Sequence, residues 1–158
     1  VAPVLAVARN LESLPRHVVV GIDFSVSSIR AAKWARRLLH PEGMLELVYV
    51  AADGPFGAGA DGVPAAESNQ VLVKRIERDM ERLVSSLELQ PGMRAITVRR
   101  TGNAGEQLCL HADSVGADLI AVGSHRYKFL ERLSMGSVSA AVLYHAGCSV
   151  LVAPPEPS

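Results

Sequence analysis

Between Val122 and Leu143 the chain reads VGSHRYKFLERLSMGSVSAAVL, and residue types suited to holding an anion are gathered there. Gly123 and Gly136 would let a phosphate oxygen come close to the backbone. Ser137 and Ser139 add hydroxyl donors, and His125, Arg126, Lys128 and Arg132 add cationic or protonatable groups. Gly136-Ser137-Val138-Ser139 opens an apolar run of helical character. The first N–H groups of a helix have no partner within it and attract negative charge, each contact contributing roughly 0.3–1 kcal/mol. The same residues also have a purely architectural reading, with Ser137 as an N-cap and Gly136 as a turn residue. This stretch alone leaves both readings open. Asp23 is similar: its carboxylate could accept hydrogen bonds from a ribose or a base, or cap a helix opening at Ser25.

These residues need elements to position them, and the pattern supplies alternating strands and helices. HVVVGID (17–23) is a β-branched run ending at a polar residue, as a buried parallel strand does. SVSSIRAAKWARRLLH follows with Ile29, Ala32, Ala35, Leu38 and Leu39 at helical spacing and Arg30, Lys33, Arg36 and Arg37 mostly opposite, until Pro41 and Gly43 stop it. MLELVYVA (44–51) is the second strand. ADGPFGAGADGVPAA (52–66) is rich in glycine and proline and reads as a long loop, either a tolerated insertion or a cover over a site. A long amphipathic helix is predicted over 67–89, with Val73, Ile76, Met80, Leu83 and Leu87 as its buried stripe. RAITVRR, AGEQLCLHADSVG, ADLIAVG, SVSAAVLYHAG and CSVLVA continue as strand, helix, strand, helix and strand.

The expected fold is therefore α/β: a doubly wound five-stranded parallel sheet with helices on both faces and right-handed crossovers. With the strand order taken as 3-2-1-4-5, the first and fourth strands flank the crevice where ligands bind in such sheets. Asp23 and Gly123 then face the same gap. Residues 1–16 are expected to form an N-terminal arm and 17–158 a single domain.

Composition narrows the function. The chain has 158 residues, enough for one core, and its formal net charge is +0. No global field draws it to nucleic acid or anionic lipid, so neither is an expected partner. No apolar run reaches the ~20 residues of a membrane span. The start, VAPVLAVARNLESLP, lacks the basic region of a signal peptide. Cys109 and Cys148 form no C-x-x-C pattern, and a reducing, cytoplasmic location is expected. His40, His111 and His145 show no metal-ligand spacing. Trp34 and Tyr49 read as packing residues, and Cys109 as a buried thiol.

VVVGIDFSVSSIRAAKWA, LELVYVA, ADLIAVGSH, MGSVSAAVL and CSVLVA, in this order, resemble the universal stress protein (UspA-like) family, from His17 to Ala153. The resemblance implies an adenine-nucleotide alpha-hydrolase-like three-layer sandwich that binds ATP in the crevice, with Mg²⁺ arriving on the phosphates. It puts Asp23 and Val50 by the adenosine, Gly123 by the ribose and phosphates, and Gly136, Ser137 and Val138 around the phosphates. It also implies a homodimer through the last strand, Cys148 to Val152.

The nucleotide-binding branch of that family carries G-x2-G-x9-G-[ST]. Here the spacing is kept as Gly123, Arg126 and Gly136-Ser137, and arginine replaces the second glycine. An arginine there costs of order 1 kcal/mol if the position needs φ > 0, yet its fork of donors is also a phosphate ligand, beside His125. Three functions compete: a nucleotide-binding stress or signalling module, a dimeric interaction protein that has lost the nucleotide, and a slow ATPase or phosphotransferase. The last ranks lowest, because the chain has neither G-x-x-x-x-G-K-[ST] nor a G-x-G-x-x-G after a strand. No catalytic residue is assigned.

Overall fold

The computed structural model describes residues 2–7, 13–52, 65–124 and 136–155, without the side chains of 65–68. The elements run β1 (Val4–Ala6), β2 (His17–Ile22), α1 (Val26–Leu38), β3 (Met44–Ala51), α2 (Ala65–Ser86), β4 (Arg94–Thr101), α3 (Ala104–Val115), β5 (Leu119–Gly123), α4 (Ser137–His145) and β6 (Ser149–Ala153). They form one sheet in the order β1-β6-β5-β2-β3-β4.

The five long strands are parallel and follow the expected order. The sheet nevertheless has six strands, not five. Val4–Ala6, expected to belong to an arm, pairs antiparallel with β6, with Leu5 opposite Leu151. A strand edge is a row of unpaired N–H and C=O groups, and the nearest chain able to satisfy it does so. The free edge expected at Cys148 to Val152 is thus covered by the chain's own residues.

Alternation along each buried strand builds two cores. Val18, Val20, Leu45, Leu47, Leu119 and Leu151 pack on one face with Ala31, Ala32 and Ala35 of α1 and Met80, Leu83 and Leu87 of α2. Val19, Val48, Ile120, Val122, Val150 and Val152 pack on the other with Leu108 and Ala112 of α3 and Val142 of α4. Small alanines let α1 lie close to the sheet. The result is the expected three layers.

Two polar contacts fix the frame. Asp118, just before β5, accepts hydrogen bonds from the N–H groups of Arg16 and His17 at 2.8 and 2.9 Å, which pins the start of β2. Arg30 differs from its expected place on the solvent face of α1: Nη1 donates to the carbonyls of Pro154 at 2.8 Å and Pro155 at 3.2 Å, tying the exit of β6 to α1. α2 begins at Ala65 and ends at Ser86, close to the expected span. Residues 53–64, most of the expected loop, lie outside the described residues.

Candidate functional site

Every helix that follows a parallel strand begins at the carboxyl edge of the sheet, so α1, α3 and α4 open around one cleft. Gly21, Ile22, Asp23 and Ser28 line it from β2 and α1, Val48 and Val50 from β3. Ala104 and Leu108 contribute from α3, Val122 and Gly123 from β5, and Val138 from α4. The walls are mostly aliphatic; the polar side chains among them are exposed Asp23 and buried Ser28. The enclosed volume is about 80 Å³, below the roughly 300 Å³ at which whole small-ligand pockets begin.

The three helix starts are finished differently. At α1, Ser25 is the N-cap and its Oγ accepts from the N–H of Ser28 at 3.2 Å. Asp23 does not cap the helix itself; its Oδ1 accepts from the N–H and hydroxyl of Ser25 at 3.0 and 2.6 Å, fixing the cap residue. At α3, Asn103 Oδ1 accepts from the N–H of Glu106 at 3.1 Å. At α4 the N-cap is Gly136, with φ −58° and ψ 153° and no side-chain cap. Those dihedrals are open to any residue, so backbone conformation does not require glycine there. Ser137 is the first helical residue and is exposed, whereas buried Ser139 donates its hydroxyl to the carbonyl of Gly136 at 3.0 Å.

Gly123 has a packing reason of its own. A Cβ there would stand 2.5 Å from Ser27 C and Ser28 N and 2.6 Å from Ser27 Oγ. Its close approach is to the first turn of α1. Phe24, between Asp23 and the cap, sits at φ 62°, a left-handed conformation that costs a bulky residue energy. Its ring meets Tyr49 with centroids 5.9 Å apart, which gives Tyr49 the expected packing role. Trp34 packs beside the core with Arg37 over its ring.

The structure thus brings Asp23, Val50, Gly123 and Val138 into one cleft, and sets Gly136, Ser137 and Ser139 on the helix that carries Val138. His125 and Arg126 lie outside the described residues, as do Lys128 and Arg132. The α3 wall, Ala104 and Leu108, was absent from the sequence reading; the signal for it was the small Ala-Gly pair opening the third helix after Asn103.

A second polar cluster was also missed. Glu46, buried within β3, accepts from His17 Nε2 and His111 Nε2, both at 2.6 Å. Arg100 donates to His111 Nδ1 at 3.2 Å and to Gln107 at 2.9 Å. Because arginine only donates, the neutral form of His111 accepts at Nδ1 and carries its proton on Nε2, toward Glu46. Burial pushes the Glu46 carboxyl up, but the hydrogen bonds from His111 and His17 and their electrostatics outweigh it and hold it below the ordinary value. The sequence signal was a glutamate inside an apolar strand. Among the described residues no group of His, Cys, Asp and Glu could hold a metal ion, and no helix is long and apolar enough to cross a membrane.

Comparison with known proteins agrees with the fold. Residues 15–154 match the Universal stress protein family. The chain belongs to that family. A curated relative, Universal stress protein MJ0531 of Methanocaldococcus jannaschii, is 29% identical over 151 residues, 93% of this chain and 86% of the relative. Among solved structures, the hypothetical protein MJ0577 superposes with a TM-score of 0.74 at 22% identity, over 92% of this chain and 99% of the other. A universal stress protein in complex with cAMP superposes with a TM-score of 0.62 at 24% identity, over 91% and 100%. At these identities the structural likenesses carry the fold, and the cleft of this family member must be argued from its own residues.

Proposed function

We propose that this universal stress protein is a nucleotide-binding stress-response module that takes ATP in the cleft and acts as a homodimer through β6. The observation that carries the reading is the start of α4, which among the described residues has no side-chain cap, beside an aliphatic cleft whose two neighbouring helices are capped. Val48, Val50, Ile22, Leu108 and Val122 offer the apolar surfaces that a purine ring needs. Asp23 stands at the rim, where its carboxylate can accept from ribose hydroxyls. The opening N–H groups of α4, with the Ser137 hydroxyl, suit the phosphates. Mg²⁺ would arrive on the phosphates and not in a protein cage. The cAMP held by a structural relative is an adenine nucleotide, which supports the same class of ligand.

A second reading is an interaction module that has lost the nucleotide. The arginine at position 126, where the family's nucleotide-binding motif has glycine, favours it. Heating the protein with and without millimolar Mg-ATP separates the two. A ligand at 100 times its Kd adds about 2.7 kcal/mol, a rise of roughly 5–11 °C for a chain of this size. An unchanged midpoint in the wild type, with a rise appearing only in Arg126→Gly, would establish the second reading.

A further inference from the structure

β1 echoes the strand it covers. Val4-Leu5 repeats Val150-Leu151, with Ala6 standing where that strand has Val152, and the antiparallel register sets Val4 opposite Val152, Leu5 opposite Leu151 and Ala6 opposite Val150. If β6 of a second molecule ran antiparallel to this β6 about Leu151, it would place its own Val150, Leu151 and Val152 at those three positions. Leucine opposite the same leucine is a two-fold register, the closed arrangement of an isologous dimer. The edge is therefore already filled by an internal strand that matches two of the three residues another copy would bring.

We propose that β1 is an intramolecular stand-in for the partner's β6, and that two copies join through this edge only when β1 is displaced. The inference rests on the homodimer reading above and adds what controls it. β1 is suited to leaving. It spans 3 residues, all of them exposed, with Val4 58% and Leu5 38% accessible, whereas the β5–β6 junction on the other side of β6 has five residue pairs. It is also suited to competing. Residues 7–16 tether it to β2, and a short tether holds a strand at an effective concentration of order millimolar. Association through β6 must outcompete that local supply, so dimerisation becomes sensitive to whatever holds or releases Val4–Ala6.

Sedimentation velocity over a concentration series tests this on the full chain, on a variant lacking residues 1–7, and on Leu5→Asp, which keeps the chain length and places a charge against the Leu151 pair. The expected result is a dimer constant roughly tenfold or more tighter in both variants than in the full chain. A peptide of residues 1–7 added to the shortened chain should return it to monomer. Hydrogen exchange at amides 149–153 should be slow in the full-chain monomer and faster in the variants at concentrations where they are monomeric. Equal dimer constants in all three proteins would overturn the stand-in role while leaving the dimer itself intact. A dimer of the full chain that vanishes on removing residues 1–7 would also overturn it, since β1 would then belong to the interface. Species larger than a dimer would overturn the two-fold register. Monomers throughout would overturn the homodimer reading, and the stand-in role with it.

Discussion

Gly123 is the residue on which the ligand reading and the packing reading disagree most sharply. Gly123→Ala places a methyl carbon 2.5 Å from two backbone atoms of α1, Ser27 C and Ser28 N. Ordinary contact begins at 3.4 Å, so β5 and the first turn of α1 must part by about 1 Å. The obstacle is main chain and cannot rotate aside. Overpacking of this kind costs about 1–3 kcal/mol, and the backbone clash puts this case at the upper end. At roughly 2–4 °C per kcal/mol for a domain of this size, the unfolding midpoint should fall by about 6–12 °C. Far-UV circular dichroism on heating measures it. Gly116→Ala is the control: its φ is +64° but a Cβ there meets nothing within 4 Å, so only the conformational term remains, about 1 kcal/mol. If Gly123→Ala melts with the wild type yet loses a Mg-ATP-dependent rise, the glycine serves the ligand and the packing argument is refuted.

Glu46→Gln keeps the shape of the buried carboxylate but removes its charge and one of its accepting oxygens. It should cost about 1–3 kcal/mol near neutral pH by urea unfolding. Because Glu46 titrates below its ordinary value in the folded protein, its contribution is complete above the unfolded carboxyl value and lost as pH falls through the folded one. The wild type should therefore lose more stability on acidification than Glu46→Gln; parallel pH profiles would contradict the assignment. Burial and the nearby Asp113 raise the Cys148 thiol to about 11, and the Cys109 thiol is raised too. A thiol reagent at neutral pH should react slowly with the native protein and fully with both cysteines after denaturation. Glu88 has φ 49°, so Glu88→Gly should stabilise by about 0.5–1 kcal/mol, read as a small rise in midpoint.

The parallel strands and their helices were legible because each strand is a short β-branched run and each helix carries its own stop signal. Pro41, Gly43 and Gly116 all fall where the elements end. β1 was not legible. Val4-Leu5-Ala6 is too short to show a period, and its pairing depends on an edge distant in sequence. Within the site, Asp23 and Gly123 could be placed at one gap because strand exits are local features and the strand order joins them. The reason for Gly123 could not be read, since the backbone of Ser27 and Ser28 reaches it only through tertiary packing. His111, on α3, looked isolated for the same reason: Glu46 lies in β3 and Arg100 in β4.

The bonds from Arg30 to Pro154 and Pro155 have a mechanical consequence. They fasten the far end of the last strand to α1, whose first turn supplies Ser28 to the cleft wall and presses on Gly123. Both contacts fall within the first five residues of α1, so the exit of the last strand and the wall of the cleft lean on the same end of one helix.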